Sequence, residues 1–484
     1  MAKVHVVYFD INTGAYFDFN HGLAYIIGSL VQAKHQVFLS HLKNEDDFQK
    51  ALSASHTLEP DAVCLSFATN QKKYVHRFFN LARSPSNFII AGGVHCTLAK
   101  EQVFKEFPKI QGICIGEGEL AVRELCRRLD FHENYVSTPS FYFNVGDTVV
   151  RNRIFPLQDI DTLPLPDYSL FDYREIIRSA GDCFSMLLSR GCPHTCSYCC
   201  NHALRQVYQD NERYVRFPRP HYAIRIIKNN LSLYPQTKKI SFSDDTFTLD
   251  KKWLKEFCEL YKQEIKLPFF CNSRIDTIDE DISRHLKSAG CRSVAFGVES
   301  GSDWLRSRVL GKNYSNETVR RAFAIVRKQG MNTFSFNMFG LPFETKAMAV
   351  DTICLNRQLQ PNFGKCFYFF PYPKTELHEL CLHYGLLLDD LDSRSGYFES
   401  PSLKGIFMSH RETKGMYLTL ELFFYTRVFF SRLGIPSALE KVLSRVIFLL
   451  VRPALGVLYN ADTAKQRLEK IRLGVVRIIF KYSR

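Results

Sequence analysis

The chain has 484 residues, of which 46% are hydrophobic and 23% are charged, the balance of an ordinary globular protein with two or three domains. No apolar run approaches the roughly 18 to 20 residues that cross a bilayer. The net charge of +14 is uneven, because residues 401–484 carry 15 Lys and Arg against 5 Asp and Glu. The N-terminus MAKVHVVYFD reads as a strand and not as a signal peptide, so we expect a cytoplasmic protein whose 15 cysteines are reduced.

Strands and helices alternate over residues 1–135. KVHVVYF, QVFLSHL, DAVCLSF, NFIIAGG and GICIG read as strands. Helical spacing of apolar residues predicts helices at HGLAYIIGSLVQAKHQ, near residues 74–82, at KEQVFKEF and at ELAVRELCRRL. This alternation predicts a doubly wound, mostly parallel α/β sheet that binds ligands at the carboxyl ends of its strands.

Three loops at this edge of the predicted sheet are rich in small residues: residues 68–70, 92–97 and 116–119. Glycine allows the backbone to approach a large planar ligand or a phosphate closely. Each loop alone is a weak signal, but together they predict a binding edge. The candidate cofactor-binding residues of these loops are Gly92, Gly93, His95, Thr97, Gly116, Glu117, Gly118 and Glu119.

Residues 136–180 are polar and contain several prolines, which predicts a linker. Six further strand–helix repeats follow over residues 181–385, with strands at FSMLLSR, KKISFSD, PFFCNSR, RSVAFGVE, NTFSFNMFG and KCFYFF. Six parallel units predict a partial (β/α)6 barrel that is open on one side. Polar residues cluster after these strands, as expected for a site at the barrel mouth.

The motif CxxxCxxC follows the first strand of this barrel and contains Cys192, Cys196 and Cys199. A structural zinc site usually takes four ligands, often from two CxxC pairs, and the sequence contains no second pair. Three cysteines on one short loop instead suit a 4Fe–4S cluster with one iron open to a small ligand. Cys200 reads as a buried neighbouring thiol.

The cysteine motif, with Tyr198 before its last cysteine, resembles the signature of the radical S-adenosylmethionine (radical SAM) family. HGLAYIIGSL, PDAVCLSF, AGGVHCTL and IGEGE resemble the cobalamin-binding domain that precedes many radical SAM domains. The fold class implied is α/β: a doubly wound cobalamin-binding domain (1–135), a linker (136–180), a partial radical SAM barrel (181–385) and a mostly helical C-terminal region (386–484).

The resemblance also implies the cofactors and their ligands. Cys192, Cys196 and Cys199 would hold three irons of the cluster, and the fourth iron would chelate S-adenosylmethionine. The other residues that the resemblance assigns to cofactor binding in the barrel are Tyr198, Asp245, Arg274, Glu299, Ser300 and Gly340. Two family glycines are replaced, by Phe343 and Lys374, which leaves the local turns in question.

The sequence departs from one type of cobalamin-binding domain in a single motif. The sequence lacks Asp-x-His-x-x-Gly, so no histidine is evident below the cobalt and a base-off cobalamin is implied. His95 and His21 lie nearest the predicted edge, and we interpret both as hydrogen-bonding residues.

The function implied is radical cleavage of S-adenosylmethionine and cobalamin-dependent methylation of an unactivated carbon. A ring-forming or rearrangement enzyme with the same cofactors is the alternative, and a non-catalytic cobalamin or iron–sulfur sensor is a third hypothesis. The implied partners are a small-molecule substrate and an electron donor such as flavodoxin or ferredoxin. No nucleic acid is expected, because the tail reads helical and not as a small RNA-binding barrel.

The C-terminal tail mixes long apolar segments with basic residues and has a net charge of +10 over residues 401–484. Arg427, Arg432, Arg445 and Arg452 recur about one or two helical turns apart. One interpretation is a helical cap whose arginines bridge to the catalytic domains. The other is a peripheral contact with anionic lipid at the inner membrane face, together with a hydrophobic or lipid-like substrate.

The motif generates a first testable prediction. Cys196→Ala should abolish both iron retention and cleavage of S-adenosylmethionine, because it removes one of three thiolate ligands. Cys200→Ala, the matched control, should keep both. Iron analysis and measurement of 5′-deoxyadenosine after anaerobic reconstitution check this, and a full cluster with normal cleavage in Cys196→Ala would contradict it.

Overall fold

The computed structural model describes residues 1–11, 19–82, 88–208, 212–391, 396 and 400–432. The first domain is a seven-stranded sheet in the order β2-β1-β3-β4-β5-β6-β7, parallel from β2 to β5. Its parallel part has the order of a doubly wound α/β fold. The strands are β1 (Lys3–Phe9), β2 (Gln36–Leu42), β3 (Ala62–Ser66), β4 (Ile89–Gly92), β5 (Gly112–Cys114), β6 (Phe141–Val145) and β7 (Thr148–Arg151).

Six helices accompany this sheet: α1 (His21–Gln32), α2 (Asp47–Leu58), α3 (Lys72–Leu81), α4 (Val94–Ala99), α5 (Gln102–Glu106) and α6 (Glu119–Asp130). Four of them match the predicted helices. Helix α2 was missed because its sequence is polar and it buries only Phe48, Ala51 and Ser55. Helix α4 replaces a predicted loop, since Gly93 adopts φ +106° and lets the chain turn from β4 directly into a helix.

The predicted linker, residues 136–180, needs a correction. Its first part forms the hairpin β6–β7, which adds two antiparallel strands to the sheet next to β5. Phe141 and Phe143 alternate into the core and Gly146 turns the hairpin at φ +62°, so the signal was present as a strand alternation around a turn. Only the chain beyond Arg151 crosses to the next domain, ending with α7 (Arg174–Ser179).

Aromatic residues of this crossing segment join the two domains. Tyr168 and Tyr173 are buried in one hydrophobic cluster that contains Val6 of the first sheet and Phe184 and Ile240 of the second. The two sheets therefore share a continuous core, which fixes their relative placement.

The second domain is a six-stranded, all-parallel sheet in the order β13-β12-β11-β10-β9-β8, and it confirms the six predicted repeats. The strands are β8 (Cys183–Met186), β9 (Lys239–Phe242), β10 (Phe269–Ser273), β11 (Cys291–Glu299), β12 (Asn332–Phe339) and β13 (Phe363–Tyr368). The helices are α8 (Cys200–Arg205), α9 (Pro220–Leu233), α10 (Lys251–Glu264), α11 (Glu280–Ser288), α12 (Asn316–Lys328), α13 (Lys346–Leu359) and α14 (Glu376–His383).

Helix α15 (His410–Arg432) covers the β13 side of the second sheet. Glu421 accepts a 2.6 Å hydrogen bond from the Cys366 backbone N–H, and Arg427 donates to the Pro361 carbonyl at 2.9 Å. Arg427 thus contacts the second domain through a backbone carbonyl, whereas Arg445 and Arg452 lie outside the described residues. The interpretation that the arginines bridge to acidic rims of the two domains stays a prediction. Within the described part of the chain, every helix is too short or too polar to cross a membrane.

The contact between α1 and the crossing segment generates a stability prediction. A Cβ at Gly28 would overlap the Leu165 carbonyl oxygen. Gly28→Ala should therefore destabilise the protein by about 1–3 kcal/mol despite the better helix propensity of alanine. Gly415→Ala is the matched helical control. A Cβ there meets open space, so the change should stabilise by about 0.5–1 kcal/mol. Thermal and denaturant unfolding check both values, and a Gly28→Ala protein as stable as the parent would refute the close contact.

Candidate active site between the two domains

A cavity of about 520 Å³ lies between the carboxyl ends of the two sheets. The first domain contributes residues 92–94, Thr97 and residues 116–119 to its walls. The second domain contributes residues 189–191 at the start of the cysteine loop, together with Asp245. The glycine loops and the flank of the cysteine loop therefore face a common space.

The cavity continues into the first domain as an apolar slot between the sheet and two helices. The slot is lined by Val6, Leu23, Ile26, Leu30, Cys64, Ile90, Cys114 and Val122. Such a slot suits a flat, apolar part of a large ligand, while the loops above it offer backbone amides to polar parts.

In the loop of residues 116–119, Gly116 and Gly118 leave no room for a side chain, because atoms of neighbouring residues lie too close to them. A Cβ at Gly118 would lie 2.8 Å from the Ile26 side chain, and one at Gly116, where φ is +84°, would lie 2.5 Å from the Tyr208 hydroxyl oxygen. The Gly116 backbone N–H donates to the Thr97 hydroxyl at 3.1 Å, which ties two of the loops together. The backbone is thus exposed to a ligand and held in place.

The two histidines near this edge have different positions. His95 is buried outside the cavity, with Nδ1 3.2 Å from the Thr69 hydroxyl and Nε2 3.0 Å from a Glu106 carboxylate oxygen. The prediction that His95 binds the cofactor is corrected, because α4 begins at residue 94 and directs this side chain away from the cavity. His21 lines the cavity, and its Nδ1 lies 2.7 Å from the Tyr168 hydroxyl. Burial lowers the pKa of His21 to about 3.

The strand that precedes the cysteine loop is fixed by a buried carboxylate. Asp244 accepts hydrogen bonds from the backbone N–H groups of Leu188, at 3.2 Å, and Ser189, at 2.5 Å, and also from the Ser189 hydroxyl. Burial raises the pKa of Asp244 to about 6, although these hydrogen bonds oppose the shift. Asp244 thus positions the loop, whereas its neighbour Asp245 lines the cavity.

The three motif cysteines lie close enough to influence one another. Burial raises the pKa of Cys192 to about 11, and the charges of Asp245, Cys199 and Cys196 raise it further. A hydrogen bond from the Cys200 thiol lowers the pKa of Cys199 to about 7. Among the described residues, no three His, Cys, Asp or Glu side chains converge on a single ion. The CxxxCxxC spacing in the sequence suits a 4Fe–4S cluster, in which each thiolate would bind a different iron.

A cation lies beside the middle cysteine. Arg274, which follows β10, places Nη1 3.5 Å from the Cys196 sulfur and binds Asp276 through Nε and Nη2 at 2.8 and 3.0 Å. Burial raises the pKa of Cys196, and the positive charges of Lys312 and Arg274 oppose that shift. The Arg274 guanidinium also attracts an anionic group such as a carboxylate.

A second cation, Lys312, was missed from the sequence. Its Nζ lies 2.7 Å from Glu299 Oε1, which also accepts a 3.1 Å hydrogen bond from the Tyr198 hydroxyl. Burial by itself would lower the pKa of Lys312, but the charges of Glu299 and Tyr198 raise it well above its ordinary value. A lone lysine after glycine carries no sequence signal for this contact.

Besides His95, five predicted cofactor-binding residues lie outside the cavity lining: Tyr198, Arg274, Glu299, Ser300 and Gly340. The three motif cysteines lie outside it as well. Ser300 is fully buried and accepts a 3.2 Å hydrogen bond from the Ser302 backbone N–H. The Gly340 N–H donates to Glu344 Oε2 at 2.7 Å. Their contacts in the structure stabilise the ends of β11 and β12.

The two residues that replace family glycines still adopt a glycine-like backbone conformation. Phe343 and Lys374 adopt φ of +64° and +66°, the left-handed conformation that glycine enters most easily. For other residues this conformation costs roughly 1–2 kcal/mol. The departures from the family pattern therefore change the stability of the turns and not their course.

Family models match both halves of this site. Residues 13–126 match the B12 binding domain, and residues 186–354 match the Radical SAM superfamily. The chain belongs to the cobalamin-dependent radical SAM proteins. The cofactors of this radical SAM enzyme are accordingly a 4Fe–4S cluster, S-adenosylmethionine and cobalamin.

Relatives of this radical SAM protein are named for two kinds of reaction. An uncharacterized methyltransferase of Pyrococcus horikoshii is 28% identical over 76% of this chain and 79% of its own length. The anaerobic magnesium-protoporphyrin IX monomethyl ester cyclase of Rubrivivax gelatinosus is 24% identical over 81% and 70%. The hopanoid C-3 methylase of Methylococcus capsulatus is 26% identical over 63% and 59%.

A solved structure shares the fold. OxsB, a cobalamin-dependent S-adenosylmethionine radical enzyme with aqua-cobalamin bound, superposes with a TM-score of 0.67 at 17% identity. The match covers 100% of this chain and 77% of OxsB. The order of a doubly wound domain followed by a partial barrel is therefore confirmed.

The histidine geometry generates a spectroscopic prediction. The Co(II) form of bound cobalamin should show no nitrogen superhyperfine splitting from a protein imidazole, because His95 lies outside the cavity and the sequence lacks Asp-x-His-x-x-Gly. His21, which lines the cavity, is the histidine that the measurement must exclude. Electron paramagnetic resonance of the anaerobically reduced protein checks this, with free base-on cobalamin as the positive control. A splitting that disappears in His21→Asn or His95→Asn would contradict the prediction.

Proposed function

We propose that this enzyme transfers a methyl group to an unactivated carbon of a small substrate. The observation that carries the proposal is the shared cavity, in which the glycine loops of one domain face Asp245 and the cysteine loop of the other. When bound, the cluster and S-adenosylmethionine supply a 5′-deoxyadenosyl radical for hydrogen abstraction, and cobalamin supplies the methyl group. Such chemistry requires the two cofactors to reach one substrate, and a cavity between the domains provides that access.

In this proposal Cys192, Cys196 and Cys199 hold the cluster. Arg274, at 3.5 Å from Cys196, attracts the carboxylate of the methionine moiety. Glu299 and Tyr198 form a hydrogen-bonded pair next to Lys312, which supports the opposite side of the same loop. Reduction of the cluster needs an external donor such as flavodoxin or ferredoxin.

In the first domain, residues 116–119 and Thr97 present backbone and hydroxyl groups to the corrin side chains. The apolar slot around Ile26 and Val122 would hold an apolar part of the cofactor, such as the dimethylbenzimidazole base. The slot supports this arrangement because its walls are apolar and it opens directly below the glycine loops.

No step of this scheme needs a general base from the protein. The task of the chain is to position the cofactors and to exclude water from the radical. Apolar walls favour this, since the cavity lining includes Leu187, Leu204 and Val94.

Ring formation or rearrangement with the same cofactors is the second candidate. The similarity to a cyclase over 81% of this chain favours it. The residues of the cavity are compatible with both reactions, because both begin with hydrogen abstraction from the substrate. Identification of the product therefore distinguishes the two reactions.

A hydrophobic or lipid-like substrate is the class that we propose. The basic, apolar tail supports it, and so does the similarity to a methylase named for a hopanoid. Peripheral contact with anionic lipid stays a prediction, because residues 433–484 lie outside the described part of the chain.

Anaerobic reconstitution with iron, sulfide, cobalamin, flavodoxin and methyl-deuterated S-adenosylmethionine tests the function. The reconstituted enzyme is incubated with lipid and polar fractions of candidate extracts, and products are identified by mass spectrometry. We expect a lipid-fraction product that carries one deuterated methyl group, together with 5′-deoxyadenosine. Cys192→Ala, which lacks a cluster ligand, should form neither.

The isotope separates the candidates. An unlabelled product with altered hydrogen content would favour the cyclase over the methyltransferase. A labelled product from the polar fraction alone would keep methylation and reject the lipid-like substrate.

A further inference from the structure

Two arginines of the second domain form ion pairs with two glutamates of the first domain at the wall of the cavity. Arg190 places Nη2 2.5 Å from Glu119 Oε1 and Nη1 3.2 Å from Glu117 Oε2. Arg216 binds both carboxylate oxygens of Glu117 through Nη1, at 3.1 Å, and Nη2. We call Arg190, Arg216, Glu117 and Glu119 the interdomain clasp.

The clasp is largely buried. The side chains of Arg190 and Arg216 are 15% and 11% exposed, and that of Glu119 is 5% exposed. Ion pairs in such surroundings are screened far less than surface pairs, and removal of one partner leaves an uncompensated charge. The clasp therefore resists separation of the domains at this point.

One end of the clasp is part of the proposed cobalamin cradle. Glu117 and Glu119 belong to the last glycine loop, and the Glu117 backbone N–H donates to the Tyr208 hydroxyl of the second domain at 2.8 Å. The Arg190 guanidinium also lies 4.7 Å from the centroid of the Tyr25 ring on α1. Any change in the position of Arg190 would move both walls of the cavity.

The other end of the clasp is the start of the cysteine loop. Arg190 precedes Cys192 by two residues, and its backbone exchanges hydrogen bonds of 2.8 and 2.9 Å with Arg216. Gly191 follows with φ +80°, where a Cβ would lie 2.5 Å from the Tyr214 carbonyl oxygen. The backbone between Arg190 of the clasp and Cys192, the first proposed cluster ligand, is therefore held closely in place.

A further observation indicates that a ligand contacts this corner. The Tyr25 hydroxyl lines the cavity and is fully buried, and it has no hydrogen-bond partner among the described residues. Buried hydroxyl groups usually have partners, so a polar atom of the occupant is the natural acceptor.

We propose that Arg190 is a positioning residue through which cobalamin and the iron–sulfur cluster affect each other's binding. The inference rests on the proposed function, with cobalamin in this cavity and the cluster on the cysteine loop whose two ends line it. Because Arg190 contacts the last glycine loop and begins the cysteine loop, a cofactor that shifts one loop also shifts the other, and the coupling must be reciprocal. The aromatic core of the crossing segment already joins the domains, so the clasp is not needed merely to hold them together.

The test measures the dissociation constant of hydroxocobalamin by anaerobic equilibrium dialysis, with the full chain either cluster-free or reconstituted. The parent protein should bind cobalamin about 5-fold or more tightly when the cluster is present. In Glu119→Gln and Arg190→Lys this ratio should fall to about 1-fold, because the charged bridge is weakened. Arg128→Gln, which removes a partner of Glu124 on the outer face of α6, is the control and should keep the parent ratio.

Two results would overturn the proposal. One is equal affinities in the two states of the parent, and the other is an unchanged ratio in Glu119→Gln, as an equal loss of affinity in both states would give. Glu119→Gln decides alone if Arg190→Lys does not fold, as judged by near-UV circular dichroism. The charge swap Arg190→Glu with Glu119→Arg should restore part of the ratio. No substrate is used, so a failure to detect methylation leaves this test intact.

Discussion

A guanidinium group that is withdrawn from water needs carboxylates, and for Arg190 they come from the other domain. Desolvation of a charge costs several kcal/mol unless its partners are well placed. Glu117 and Glu119 can meet that requirement only if the last glycine loop lies against the cysteine loop. The position of the last glycine loop against the cysteine loop, and with it this wall of the cavity, depends on this arrangement.

The regular elements were largely predictable because each depends on a local pattern. The strands of the second sheet are apolar runs buried on both faces, so their sequences identify them without knowledge of their neighbours. The hairpin β6–β7 was missed for a different reason. Prolines after Arg151 dominated the composition of the whole segment and concealed the strand alternation from Phe141 to Val145. Helix α2 was missed because only three of its residues are buried.

The cavity lining was predictable where a strand end dictates position, as for Asp245 and Gly116. The three cysteines were assigned from their sequence spacing, and their role as cluster ligands stays a prediction. The site was not predictable where contacts join distant parts of the chain. The pairs of Lys312 with Glu299 and of Arg190 with Glu119 exist only after folding, and neither lysine nor arginine has a sequence context that reveals its partner. The position of His95 failed for a local reason, because an extra helical turn starts one residue before it.

The aromatic crossing segment has a consequence for how this architecture evolves. Because Tyr168 and Tyr173 pack against residues of both sheets, each domain leaves apolar surface exposed when the other is absent. The two halves therefore form one cooperative folding unit. Recombination that exchanged the N-terminal half between relatives would succeed only if the crossing segment travelled with it.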